Sequence, residues 1–383
     1  MSNIVHCLCL QTGSYVLLLG MAGGLPAQEG LPQQIATARE GTVLEIPAGA
    51  THEPLTLNRC LTLRGTSPEQ TTLEVTADRP ALTVTGKAEV TVEGMTIRWQ
   101  LDTSDPTGPP TAIYVKDATL TLKNCRIVAP AGGKRCPSAV LAVGFSKLTL
   151  ENCAIEGFEF AVNVSGGAEA AVADCLFRKP GHCGASVFSD SKLTIARCII
   201  AESAYHGLRS TGGTLIATDN LILHNKNRGI YLGNKSAQAT IRGNVFLANE
   251  TGISGFAQTQ ATIERNVFLD SGYAAIDSRE TCLLKIAANV LQGNRRGIVL
   301  HRDGDAPYQL EVGSNTFWDN GQDVENLRMP QEALTLDPQL VRPEAGQFSA
   351  AAPPVVAARH GLSEETSTAS LWKRWQQLAQ PSE

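Results

Sequence analysis

The chain has 383 residues, of which 43% are hydrophobic but only 5% aromatic, with 35 glycines and a formal net charge of −5. That length exceeds what one ordinary globular core fills. The acidic balance leaves no basic footprint for nucleic acid, so none is expected as a partner.

At the N-terminus, Tyr15 to Met21 (YVLLLGM) is a short apolar stretch, and Leu25-Pro26-Ala27 offers a small-residue cleavage site. Residues 1–27 therefore read as a candidate signal peptide, too short to span a bilayer. A charged n-region is missing, because the first Lys or Arg is Arg39. A mis-assigned start or a disordered leader is the competing reading. Export would make the protein secreted, periplasmic or cell-surface, with no transmembrane segment.

Residues 31–40 (LPQQIATARE) read as a short amphipathic helix with Leu31, Ile35 and Ala38 on one face, Pro32 early and Gly41 as its stop. The stretches TVLEIPAG and LTLNRCLTLRG follow as alternating strands. A helix here would cover the open end of a stacked structure, where unpaired backbone invites association.

From about 55 to 327 the chain repeats. Cys125, Cys153, Cys175, Cys198, Asn220, Asn244, Asn266, Asn289 and Asn315 fall in one register, 22 to 28 residues apart. Two residues beyond each stands Ile127, Ile155, Phe177, Ile200, Ile222, Phe246, Phe268, Leu291 or Phe317. One small polar or thiol side chain per turn is what a solenoid requires. Strand segments such as AVNVSG, RGIYLG, LTLENCAI and ATIERNVF alternate with period two and break at Gly, Asn and Asp, which favours β coils over helical repeats. Leucine-rich repeats have a similar length but demand an L-x-x-L-x-L pattern that is absent. About eleven coils are expected, a rod on the order of 50 Å long. Each Asn amide is expected to bond its copy one rung away, so replacing one with Leu should cost on the order of 1–3 kcal/mol.

The ten Cys suggest disulfides if the protein is exported. The four in the ladder should stack inside as small hydrophobes, a thiol metal stack being the alternative. Cys7 and Cys9 would leave with the leader. Cys60, Cys136, Cys183 and Cys282 contain no CxxC pair, which argues against zinc. One disulfide among these four stays open.

Beyond residue 328 the repeat ends. Pro- and Ala-rich sequence reads as an extended tail, closed by an amphipathic helix at about 363–380. Ser363 would cap it, with Glu364 and Glu365 in its first turn. Leu371, Trp372, Trp375, Leu378 and Ala379 form its apolar stripe. That helix packs on the rod or across its far end, or else meets a partner or membrane surface.

The coil register, the Asn ladder and the opening IATAREGTVLEIPAGATHEPLTLNRCLTLRG resemble the right-handed parallel β-helix proteins of the pectin-lyase-like superfamily, nearest its carbohydrate-binding and sugar-hydrolase-like branch. The tail LDPQLVRPEAGQFSAAAPPVVAARHGL resembles the closing segment of secreted bacterial members. The resemblance covers about residues 31–360. It implies an all-β fold, a single-stranded right-handed parallel β-helix with an N-terminal capping helix and a C-terminal tail helix. It also implies a carbohydrate partner. Pectate lyases, polygalacturonases and mannuronan epimerases share the fold, but neither the polygalacturonase set of three Asp, a His and an Arg-Ile-Lys motif nor the epimerase Asp-Pro-His-Asp motif is present. No Asp/Glu cluster on neighbouring rungs suggests a calcium site, so no cofactor is expected and Ca2+ has no clear seat.

In a β-helix, one strand position becomes a column. With Leu208, Ile230, Ile253, Ile276 and Ile298 pointing inward, Arg209, Tyr231, Ser254, Asp277 and Val299 point outward. Thr211, Gly233, Phe256, Arg279 and His301 follow in a second outward column, and His206, Arg228 and Arg296 stand just before the strands. The loop HRDGDAPY adds Arg302, Asp303, Asp305 and Tyr308, and Asp303-Gly304-Asp305 reads as a turn or a weak cation loop. Ionisable and aromatic groups thus gather on one face between about 205 and 305. For lyase or epimerase chemistry on an acidic polysaccharide, Arg209, Arg228, Arg279 and Arg296 would neutralise the uronate, and His206, Tyr231 or His301 would move the proton. Three outcomes are expected of this face: a saccharide-binding groove on an exported protein, a lyase or epimerase site, or the solvated surface of a non-catalytic scaffold, in which Asp277 and Arg279 form an ordinary ion pair.

Overall fold

A computed structural model describes residues 30–102, 105–130, 136–234, 236–279, 281–301, 309–342, 347–348, 355–356 and 367–379. The expected signal peptide and the loop from Arg302 to Tyr308 lie outside the described residues.

Three parallel sheets of twelve strands each wind into a solenoid. The first runs from Thr42–Ile46 to Gln309–Val312, the second from Gly49–Thr51 to Thr316–Trp318, and the third from Leu55–Leu57 to Gln322–Glu325. Coiling begins at residue 42 and not 55, because Thr42–Ile46 pairs in register with Leu61–Gly65. That gives twelve coils where about eleven were expected. Eleven steps at about 4.8 Å make a rod of about 53 Å.

Strand register stacks like on like. Ile127, Ile155, Phe177, Ile200, Ile222, Phe246, Phe268, Leu291 and Phe317 form one buried file through the second sheet. Phe246 and Phe268 lie nearly parallel with centroids 4.6 Å apart. The core is filled mainly by Val, Ile, Leu and Ala, with Trp99 and a few Phe rings fully buried among them.

The turn from first to second sheet explains the ladder. Asp174, Arg197, Asp219, Arg265 and Ala288 each adopt a left-handed conformation with φ between 52° and 56°, at a cost of roughly 1–2 kcal/mol apiece. The next residue is the ladder residue, and its amide supplies compensating bonds. Asn244 Oδ1 accepts from Asn220 N at 3.0 Å and Asn220 Nδ2 at 2.9 Å. Asn266, Asn289 and Asn315 repeat this arrangement on the following coils. Where the ladder is Cys, the sulfur accepts the same backbone N–H at 3.3–3.4 Å, as Cys175 and Cys198 do.

A second ladder, five residues further on, fills the turn between second and third sheets. Asn225 pairs with Asn249 and Asn294 with Asn320, while Ser203 N–H and Ser271 N–H donate to the Asn225 and Asn294 side chains.

One end of the rod is covered by helix α1 (Leu31–Thr37), whose Ile35 is buried and whose Leu31 and neighbouring Ala38 pack on the core. The C-terminal helix α2 (Ser367–Ala379) packs on the rod's side. There the second sheet presents Leu176, Ile199, Leu221, Val245, Val267 and Val290 outward, and Leu334, Leu336, Leu340, Leu371 and Trp375 cover them. Arg374 Nη1 donates to Asp174 O at 2.9 Å, and Arg178 stacks over Trp375. The proposed cap Ser363 with Glu364 and Glu365, and the side chains of Leu378 and Ala379, lie outside the described residues.

All eight described cysteines are free thiols, so the disulfide left open among Cys60, Cys136, Cys183 and Cys282 is not formed. Each sulfur has its own local partner: Cys60 accepts from Glu89 N–H, Cys136 lies 3.5 Å from Trp99 O, and Cys282 lies 2.9 Å from Arg279 O. Burial raises the Cys183 thiol to about 11.

Candidate functional site

The outer face of the third sheet carries the predicted columns. Strand pairing aligns Asn163, Ser186, Arg209, Tyr231, Ser254, Asp277 and Val299 in one file. Before it, Cys183, His206, Arg228 and Thr251 align at the strand starts. Glycine follows this start position at Gly229, where a Cβ would lie 2.7 Å from Gly252 O and 2.8 Å from Phe246 Cδ1. Only glycine lets neighbouring coils approach so closely, and this holds Arg228 tight against the next rung.

Two clusters result. In the first, rings run without a break: Phe160 to His182 at 4.8 Å, His182 to Tyr205 at 5.0 Å, Tyr205 to His206 at 4.1 Å, His206 to Tyr231 at 5.0 Å and Tyr231 to Phe256 at 5.1 Å. Guanidinium groups lie on this strip. Arg209 sits over Phe188 and Tyr231, and Arg228 over Tyr231 and Phe256. Contacts of this kind use the ring face and consume no N–H donor. His206 is only 3% exposed, and its imidazole is held down to about 3, first by burial and then by Arg228, His182 and Arg209. It is neutral at pH 7.

The second cluster continues the strip. Arg279 sits over Phe256 at 5.5 Å and donates from Nε to Asp277 Oδ2 at 2.8 Å. Ser254 Oγ donates to the same oxygen at 3.3 Å. Asp277 Oδ1 lies 3.0 Å from His301 Nε2, but without hydrogen-bond geometry, so it is a buried oxygen lacking a bonded partner. His301 Nε2 instead meets Tyr273 OH at 3.0 Å. Arg296 caps the Tyr273 ring at 4.9 Å and pairs with Glu325 at 2.5 Å. The Asp277 side chain is 1% exposed. Arg279 on its own coil and Ser254 on the preceding one hold it through Oδ2, so the expected Asp277–Arg279 pair forms with its acidic side chain buried.

His206, Arg209, Arg228 and Tyr231 thus meet in one cluster, and Asp277, Arg279, Arg296 and His301 in the other, with Phe256 between them. Val299, expected on the outer surface, is buried. His182, Tyr205 and Tyr273 were not among the candidates. All three stand one residue before the strand starts, so extending the outward columns by one position would have found them. Among the described residues, no three of His, Cys, Asp or Glu come together in a way that could hold a metal ion. A groove of about 460 Å3 lies elsewhere, on the first sheet between Gln238, Gln260, Thr240 and Thr262. It is shallow, and apart from Lys285 and Glu311 at one end, which pair with each other, its lining is uncharged.

A family model described as the right-handed beta helix region matches residues 80–246 and 160–317. No curated protein matches the chain. Among solved structures, the catalytic unit of a thermostable GH87 alpha-1,3-glucanase from Streptomyces thermodiastaticus strain HF3-3 is similar at a TM-score of 0.53 and 16% identity, covering 80% of this chain. The chain spans 65% of that structure's length. PfbA, a surface adhesin of Streptococcus pneumoniae, has a TM-score of 0.53 at 12% identity, covering 78% of this chain and 90% of its own. At these identities the likeness concerns the fold.

Proposed function

The chain belongs to the right-handed β-helix family, and from that premise we propose that it is an exported protein binding a glycan along its third sheet, between His182 and His301. The observation that carries this reading is the continuous ring-and-guanidinium strip. It crosses six strands, about 24 Å at about 4.8 Å per step. Rigid aromatic faces offer large amphipathic contact area with little ordering cost, and arginine supplies planar donors beside them. Repetition at strand spacing suits a repeating polymer better than a compact small molecule. That a glucanase and a surface adhesin share the fold is consistent with this reading. Affinity electrophoresis in gels containing alginate, pectate, glycosaminoglycan or neutral glucan tests it. Retardation by at least one polymer, abolished by Tyr231→Ala with Phe256→Ala, is expected; migration unaffected by every polymer refutes it.

A second reading, that the same face is catalytic, is favoured by the Asp277, His301 and Tyr273 cluster. In β-elimination from a uronate, a base takes the C5 proton, the C4–O bond breaks and an acid protonates the leaving oxygen. On this reading His301 and Tyr273, bonded to each other at 3.0 Å, would move the proton, with Arg279, paired to Asp277, and Arg296, paired to Glu325, beside them. Ultraviolet absorbance of unsaturated product, lost in His301→Ala and Tyr273→Phe, is the expected result; its absence with every acidic polymer leaves a binding module.

A further inference from the structure

We propose that Arg209 and Arg228, flanking Tyr231 with buried His206 beside them, form a seat for an oxyanion group, a carboxylate or sulfate, carried by the bound glycan. The inference rests on the proposed function and adds the chemical class of the ligand. Both guanidinium carbons lie close to one ring, 5.9 and 5.6 Å from the Tyr231 centroid. On the same face Arg279 and Arg296 have carboxylate partners. Arg209 and Arg228 have none among the described residues, and two like charges sharing one ring repel each other until an anion joins them.

Two of the eleven buried polar atoms without a partner among the described residues lie at the same spot. His206 is almost fully buried, yet its Nδ1 has no hydrogen-bond partner, and Arg228 Nε is likewise buried without one. The two residues are direct neighbours in strand register. Buried donors and acceptors lacking a partner are uncommon in native proteins. Arg228 Nη1 already donates to Asn227 Oδ1 at 2.9 Å, which fixes the side chain. Arg209 is held by Phe188 and Tyr231 and keeps its donors free of described carboxylates. A stacked guanidinium presents its N–H edge to a planar or tetrahedral oxyanion, which is the geometry of bidentate recognition. The depressed imidazole of His206 reports the same local field, since both arginines contribute to its shift.

The test titrates the full chain calorimetrically with three oligosaccharide probes: an oligouronate, a sulfated oligogalactan and a neutral β-glucan. Arg209→Gln, Arg228→Gln and their double variant are compared with Arg242→Gln, which removes an ion-paired arginine on the first sheet. Unfolding midpoints confirm that each variant is folded. The expected result is that an acidic probe binds more tightly than the neutral one, and that the double variant weakens the acidic probe by roughly ten- to a hundredfold. Neutral binding and the Arg242→Gln variant should be unchanged, and the salt dependence of acidic binding should shrink in the double variant. Preference for the oligouronate identifies a carboxylate seat; preference for the sulfated chain identifies a sulfate seat. Equal binding of acidic and neutral probes, or acidic binding unaffected by the double variant, overturns the seat while leaving glycan binding intact. Failure of all three probes sinks the glycan reading, and the seat with it.

Discussion

Asn266→Leu is the sharpest test of the ladder. The side chain of Asn266 donates from Nδ2 to Ile241 O at 2.9 Å and to Asn289 Oδ1 at 3.0 Å, and its Oδ1 accepts Asn244 N and Asn244 Nδ2, both at 3.0 Å. Leucine removes all four bonds, but the groups left behind fare differently. Asn289 Oδ1 keeps the Asn266 backbone N–H at 2.9 Å, and Asn244 Nδ2 keeps Ala217 O and Arg242 O. Asn244 N–H keeps nothing in the ladder and sits at 0% exposure. One buried orphan donor costs about 1–3 kcal/mol, partly offset because an amide no longer has to be desolvated. A net loss of about 2 kcal/mol follows. Asn266→Cys should cost less, because sulfur accepts that N–H elsewhere in the same ladder at 3.3–3.4 Å. Urea unfolding followed by circular dichroism measures both, provided the slope is unchanged and the transition stays cooperative. A leucine variant within about 0.5 kcal/mol of the parent, or a cysteine variant less stable than the leucine one, would refute the bonding account.

Acid should destabilise the fold through His206. Its native value of about 3 lies below the ordinary 6.5, so between these limits the unfolded chain binds a proton that the native chain does not, and stability falls as pH drops from 6.5 toward 3. His206→Phe should narrow its stability difference from the parent by about 2 kcal/mol on going from pH 7 to pH 4.5, and a difference independent of pH would contradict this. Asp219 and Asp270, whose carboxyls burial raises, act in the opposite sense above 3.8 but are common to both proteins. Trp375→Ala should free α2, raising dye binding to the second sheet and hydrogen exchange across Ser367–Ala379. The main unfolding midpoint should stay in place, because coils draw stability from their neighbours; a parallel fall in that midpoint would show the tail to be integral to the solenoid.

The architecture was legible because a β-helix writes its contacts at fixed intervals. Asn220 and Asn244 touch because they are one coil apart, and spacing alone reveals that. The second ladder was harder to see, since it opens on Ser203 and Ser271 interrupts the run of Asn225, Asn249, Asn294 and Asn320. The candidate face could be placed from the columns, and Arg209, Tyr231 and Asp277 do align as register requires. The burial of Asp277 could not be read, because it depends on Ser254, Arg279 and His301, which reach it from different coils. Tyr273 escaped because it stands one position before the strand, just outside the columns that were aligned. His206 looked like a base in sequence; its desolvation is a property of Tyr205 and Tyr231 packed on either side.

The left-handed residue and its ladder partner recur in every middle coil, so each coil carries its own closure and asks only that an equivalent copy lie above and below. Duplicating one such segment would insert a further winding without disturbing the rest, whereas deleting a single residue would invert every side chain in its strand. The molecule can therefore lengthen only by whole increments. The ring-and-guanidinium strip on the third sheet is gauged in those same increments, which makes its length an integer that duplication can adjust.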